Sequence, residues 1–275
     1  MIEPTDSVCS WHRLGWALGK QLFSVAEARQ VAKRRLPRMM FDFIDGASGD
    51  ESLRDLNSAM IDHIRLMPRV LIDISERAMS TSILGQETGL PFGIAPMGMC
   101  ELSWPGADFS LARGAAKRRI PLCVSTASSM ALEQVIELAE GHAWFQLYAD
   151  QSNGFVDELI DRAIAADYKV LILTVDVPIP SVRTRDKRNG FSFPMNWGVS
   201  QIWDFASHPR WSLETLLHAI RHQMPQPMNY ATSSQKTTFV RNASRAGADW
   251  NFLVALRDRW PGKLVVKGVQ SVEDA

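Results

Sequence analysis

Long apolar runs, paired cysteines and a charge excess of either sign are all missing from this 275-residue sequence. No uninterrupted apolar stretch approaches the ~18–20 residues of a membrane span. The first residues, with Glu3 and Asp6, lack the basic start and continuous apolar core of a signal peptide. The three cysteines, Cys9, Cys100 and Cys123, have no metal-ligand spacing and cannot all pair. They point to reduced thiols, no metal site and a cytosolic-type compartment. Lys+Arg and Asp+Glu balance at 30 each, which gives no support for nucleic-acid binding. The short basic run Lys33-Arg34-Arg35 reads as the solvated end of a helix. No G-x-G-x-x-G turn follows any apolar run, so the usual dinucleotide signature is absent too.

What is present is a repeat. Residues 1–23 read as an extension and 24–90 as a helical segment leading to the main domain. A helix is expected over 24–36, with Ser24 as cap, Glu27 three positions on and Val25, Ala28, Val31 and Ala32 at helical spacing. Pro37 interrupts it, and "MMFDFIDG" follows as a second short helix ending at Gly46. From residue 91, five apolar runs ("FGIAP", "IPLCVST", "AWFQLY", "KVLILTVD" and "KLVVKG") alternate with helical stretches. The first four recur at roughly 25–30 residues, the length of a strand–helix unit with a parallel partner. The runs are apolar throughout, as strands covered on both faces should be.

Each run ends in groups capable of chemistry: Pro96 with the Met97 and Gly98 amides, Ser125, Gln146 with Tyr148, Thr174 with Asp176, and Lys267. Barrel enzymes build their sites from the carboxyl ends of several strands. The expected fold is therefore α/β, a TIM (β/α)₈ barrel of which about five of eight strands are visible over 91–275. The excursion at 189–247 is too long for an ordinary barrel connection. It holds Trp197, Trp203, Phe205, Trp211, Leu216, Leu217 and Met224 among prolines and basic residues, which suits a lid or an interfacial membrane patch. On the residues alone, Asp176 can also be read as a turn cap, and a solvated loop is the default for Arg183. Ser125 and Thr174 can also be read as satisfying strand-end backbone groups, and Lys267 as a Schiff-base nucleophile of a barrel lyase.

The stretches "LPRMMFDFIDGASGDE", "LMPRVLIDIS", "LPFGIAPMGM", "VSTASSMALE", "WFQLY", "LTVDVPIPSVRTRDKRN" and "LVVKGVQSVEDA" resemble, in order, the FMN-dependent 2-hydroxy-acid dehydrogenases and oxidases. The resemblance is nearest to their mandelate dehydrogenase branch. It implies FMN as cofactor, with Ala95, Pro96 and Met97 lying against the flavin ring. Ser125, Gln146 and Thr174 would bond its edge, and Lys267 would place a positive charge where the reduced ring collects negative charge. Tyr148 would touch the substrate hydroxyl, Arg183 would grip the substrate carboxylate, and Asp176 would orient a catalytic histidine. The substrate implied is a small L-2-hydroxy acid, mandelate- or lactate-like. The electron acceptor would be a quinone or oxygen. Peripheral contact with the inner face of a membrane through 189–247, and a homo-oligomer, are also implied.

Two departures stand out. Phe43 occupies the position of a family tyrosine that helps bind the substrate carboxylate, a loss of roughly 0.5–1.5 kcal/mol for a neutral hydrogen bond. The family's histidine–glycine–arginine motif and its phosphate-binding loops would follow Ala275. None of His12, His63, His142, His208, His218 and His222 stands in their place. The reading is thus the amino-terminal part of such an enzyme, with an inactive fragment and the Lys267 lyase as alternatives.

Overall fold

The computed structural model describes residues 22–149, 154–179, 181–192, 195–222, 224–234 and 248–275; Cys9, His12 and most of the 1–23 extension lie outside them. Helix α1 (Val25–Arg35) starts where Ser24 Oγ accepts from Glu27 N at 3.1 Å. Its last turn carries Lys33, Arg34 and Arg35, which complement the negative end of the helix dipole. Arg35 departs from the expected solvated end. It is half-buried, paired with Glu214 and stacked 3.9 Å from the Trp104 ring centroid.

Helix α2 (Arg38–Asp45) buries Met39, Met40 and Phe41. Its amino-terminal cap, Pro37, has no side-chain acceptor. Asp204 supplies one from far along the chain, accepting from Arg38 N and Met39 N at 2.9 and 3.0 Å. A carboxylate there satisfies orphan amides and suits the positive end of the helix. Helix α3 (Ser52–Asp62) and the antiparallel pair β1 (Thr81–Ile83) and β2 (Gln86–Thr88) complete the approach to the main sheet. Leu84 and Gly85 make the two-residue turn between β1 and β2, both at positive φ, as a tight hairpin requires.

The main sheet is parallel, in the order β3 (Ile94–Met97), β4 (Leu122–Ser125), β5 (Ala143–Tyr148), β6 (Val170–Thr174), β7 (Lys263–Lys267). Helices α4 (Ala107–Arg118), α5 (Leu132–Leu138) and α6 (Phe155–Ala165) connect successive strands, as expected. Sequential order with a helix in each connection is the arc of a (β/α) barrel. Burial follows from neighbours: β5 and β6 are covered along nearly their whole length, whereas β3 and β7, each with a single strand partner, are partly exposed.

Side chains alternate across the sheet. Phe145, Leu147, Leu171 and Leu173 pack with Leu132, Leu159 and Tyr168 in the large core. Full burial of side chains of this size contributes about 1.5–3 kcal/mol each. The opposite set, Trp144, Val170 and Ile172, forms a second cluster with Cys123, Val265 and Ile83 of β1. Trp144 Nε1 donates to Gln86 Oε1 at 2.7 Å, so the hairpin closes the amino-terminal end of this inner face.

The excursion is not one long loop. After α7 (Thr184–Asn189), its described residues hold α8 (Val199–Ala206), α9 (Pro209–Arg221) and the single turn α10 (Met228–Ala231), before α11 (Trp250–Arg259) leads into β7. After β7, Ser271 Oγ accepts from Asp274 N at 3.2 Å and Val272 O from Ala275 N at 3.3 Å, which makes a turn of the last residues. Among the described residues no helix is long and apolar enough to cross a membrane.

Candidate active site

The inner face of the sheet changes chemistry along its length. Its amino-terminal half is Trp144, Val170, Ile172 and Val265, and two residues further along each strand it presents Gln146, Thr174 and Lys267. Ser125 joins them by register, paired with Gln146 across β4–β5, as Thr174 is paired with Lys267 across β6–β7. Period-two alternation from an apolar anchor thus brings four of the expected residues to one face and one end.

Their bonds define what they offer. Gln146 is 1 % exposed and donates from Nε2 to Thr174 Oγ1 at 2.9 Å. Ser125 Oγ accepts from Ala127 N at 3.1 Å. Each hydroxyl therefore has an acceptor site occupied, and its proton has no acceptor among the described residues. Lys267 Nζ lies 3.1 and 3.4 Å from the Asp176 oxygens, with the two side chains 44 % and 25 % exposed. An ion pair that open contributes ~0–1 kcal/mol, so the ammonium remains available to a ligand.

Asp176 is held there by close backbone approach. Gly268 sits at φ +109°, and a Cβ built on it would lie 2.4 Å from Asp176 Cβ and 2.9 Å from Asp176 N. Tyr148 is half-buried at the end of β5, its N–H donating to Thr126 Oγ1 at 3.2 Å. Ala95 and Pro96 lie in a register shift of β3 against β4, where a residue without an N–H is tolerated. Met97 is 46 % exposed beside them.

Phe43 and Arg183 are brought together, but by α2 and α7. The Phe43 ring stacks on Phe191 at 4.6 Å. Arg183 lies 5.6 Å over Phe43 and donates to the carbonyls of Asp42 and Phe43. It thereby covers the Phe43 carbonyl, one of those that a helix end leaves unpaired, whereas the Asp42 carbonyl already accepts from Gly46 N at 2.9 Å. Its Nε is 2.9 Å from the Asp186 carboxylate.

Beneath β3 and β4, burial and the Glu101 charge push the Asp108 carboxyl up to about 6, although Ser129 N donates to it at 2.9 Å. The Cys100 thiol is pushed up by burial and by Asp108, and Cys123 by burial to about 11. Both thiols are thus protonated and poor nucleophiles at neutral pH. Among the described residues no cluster of His, Cys, Asp or Glu could hold a metal. The five described histidines are elsewhere: His142 precedes β5 at its far end, His63 follows α3, and His208, His218 and His222 belong to the α8–α9 region.

A planar ring edge with several acceptors fits this donor set: two poised hydroxyls, a buried carboxamide and an accessible cation on one face. The fold and site together define a barrel of the flavin-binding kind. The family described as FMN-dependent dehydrogenase matches residues 32–275, and the chain belongs to that family. It is 36 % identical over 263 residues to (S)-mandelate dehydrogenase of Pseudomonas putida, covering 94 % of this chain and 66 % of that protein. It is 35 % identical over 272 residues to a putative L-lactate dehydrogenase of Mycobacterium tuberculosis, covering 97 % and 63 %. The chain thus spans just under two thirds of the length of these curated relatives. A crystal structure of the monotopic membrane protein (S)-mandelate dehydrogenase superimposes with a TM-score of 0.83 at 36 % identity, covering 93 % of this chain and 69 % of that one.

Sequence reasoning missed Asn229 and Thr126. Thr126 Oγ1 donates to Gln146 O at 2.8 Å and so ties β4 to β5 beyond the ladder. Asn229 is wholly buried against the same loop. A polar residue in a proline-rich connection carries no periodic signal, so neither pattern nor spacing could have found it.

Proposed function

We propose that the whole protein oxidises an L-2-hydroxy acid, mandelate- or lactate-like, to the 2-oxo acid, with FMN at the strand ends described above. The observation that carries this reading is the single-face row Ser125, Gln146, Thr174 and Lys267 in a chain of the FMN-dependent dehydrogenase family. The chemistry a bound FMN supplies is acceptance of two electrons from the substrate carbon. Ser125 and Thr174 would donate to acceptor atoms of the ring, and Gln146 would help to hold it. Lys267 holds a positive charge where negative charge collects on reduction, at little cost in reorganisation. Tyr148 contacts the substrate hydroxyl.

Arg183 binds the substrate carboxylate in this reading, turning its fork from the α2 carbonyls toward the mouth. Phe43 adds an apolar wall but no hydrogen bond, which weakens carboxylate binding by roughly 0.5–1.5 kcal/mol. Asp176 orients the base that takes the hydroxyl proton, a histidine of the whole protein outside the described residues. Anaerobic addition of (S)-mandelate or L-lactate to the FMN-loaded whole protein tests the reading. Bleaching of the visible flavin band by one of these acids, and not by its mirror image, is expected; an unbleached band with both acids overturns it.

Peripheral membrane contact is part of the same proposal. Val199, Ile202 and Trp203 share one face of α8, and Leu213, Leu216 and Ile220 one face of α9, all exposed. Phe205 and Trp211 pack inward, 5.4 Å apart. An exposed apolar strip beside Arg210 and Arg221 suits an anionic lipid interface. Trp203→Ser should reduce co-sedimentation with anionic vesicles by about tenfold. Unchanged partitioning of that variant would remove α8 from the contact.

A further inference from the structure

The excursion returns to the barrel through α10, and the contact it makes there is polar and buried. Asn229 is 0 % exposed. Its Oδ1 accepts from Leu132 N, in the first turn of α5, at 2.9 Å. Its Nδ2 donates to the carbonyls of Ser125 and Thr126, each at 3.3 Å. One carboxamide thus spans the connection from the end of β4 to the start of α5. The turn that carries Asn229 is itself anchored: Met228 N donates to Ser128 O at 2.9 Å, Arg162 Nη1 to Asn229 O at 3.1 Å, and the Tyr230 ring sits 4.4 Å from Phe155.

The segment so held is the one that presents Ser125. Its hydroxyl direction is set by the bond from Ala127 N, and Ala127 lies between the two points that Asn229 grips. A side chain placed only to fill space would not need both donors and an acceptor. An apolar residue of this shape would leave an amide and two carbonyls with a lost partner in a dry site, a costly arrangement.

We propose that Asn229 is a positioning residue for the cofactor rim: it fixes the Ser125–Leu132 connection so that the Ser125 hydroxyl is aimed at the flavin edge. The proposal rests on the FMN reading of the strand ends. It makes the returning limb of the excursion part of the cofactor site, although Asn229 itself touches no flavin atom.

The test uses the whole protein, with FMN titration and hydrogen exchange on the parent, Asn229→Ala and Asn229→Asp. Asn229→Ala should weaken FMN binding at least about tenfold, and exchange should rise across 125–132 while β5 and β6 stay protected. Asn229→Asp keeps the acceptor for Leu132 N but sets an anion against two carbonyls. Leu132 should therefore stay protected while FMN affinity falls as far as in the alanine variant, a split that a general loss of packing would not produce. Ser125→Ala should cost little further affinity once Asn229 is alanine, because the hydroxyl is already misdirected. FMN binding within twofold of the parent in Asn229→Ala, or independent losses in the double variant, overturns the proposal. Should the parent bind no FMN, the flavin reading fails on its own. Exchange at 125–132 then decides the matter for Asn229, and an unchanged pattern in Asn229→Ala overturns its positioning role.

Discussion

Lys267→Met is expected to slow reduction of bound FMN by the 2-hydroxy acid roughly 10²–10³-fold, the size of effect seen when one preorganised stabiliser of developing charge is removed. Methionine keeps the unbranched stem, one atom shorter, and removes the ammonium with its charge and donors. The β6–β7 ladder pairs Thr174 with Lys267, and Val175 N donates to Lys267 O at 3.0 Å. The backbone thus holds this position whatever the side chain. The Asp176 ion pair is lost, but at its exposure that costs under ~1 kcal/mol, so the fold should survive. Anaerobic mixing of FMN-loaded whole protein with substrate, followed by the rate of bleaching, measures the effect. A variant reduced as fast as the parent removes Lys267 from the flavin.

Gly268→Ala should be the most damaging small substitution at the mouth, at about 3 kcal/mol or more in stability. The φ of +109° belongs to a region that side chains other than glycine enter at a cost of order 1–3 kcal/mol. The new methyl would also overlap Asp176 Cβ and the Asp176 amide nitrogen, at 2.4 and 2.9 Å. Backbone must then move, and it is the backbone that places Lys267 beside Asp176. Urea unfolding should show a lower midpoint with an unchanged slope, and FMN affinity should fall with it. Stability within 0.5 kcal/mol of the parent, roughly the scatter of a neutral surface change, would contradict the close approach.

The sheet was legible because its physics is local and repeated. "AWFQLY" and "KVLILTVD" are apolar on both faces, which only a strand covered on both sides requires, and the structure places them as β5 and β6, the best-buried strands. The same two-residue period makes Gln146, Thr174 and Lys267 legible as one row, since each follows an inward apolar residue. Helix α1 was legible from Ser24 and Glu27. Helix α3 was not: Leu53, Leu56 and Met60 are exposed, and no stripe facing the core stands out in "SLRDLNSAMID". The three-residue strands β1 and β2 are too short for alternation to register.

What the sequence hid were relations between distant segments. Asp204 caps α2, Arg35 reaches Glu214 and Trp104, and Asn229 holds the end of β4. Each of these residues looks like solvated polarity in its own neighbourhood, and only the folded chain supplies the partner. Arg183 is a related case. Its place in "PSVRTRDKR" suggests a solvated loop, the family resemblance implies a substrate clamp, and the structure gives it the carbonyl end of α2 and the Phe43 ring.

Everything rests on one claim, that the carboxyl ends of β4 to β7 form a single flavin-binding surface. Titration of FMN into the whole protein, with hydrogen exchange read at the strand ends, tests it most directly. The account predicts a shift of the visible flavin band on binding, with new protection confined to the segments carrying Ser125, Gln146, Thr174 and Lys267. Binding with protection elsewhere, or no change in band or exchange at any FMN concentration, would contradict it.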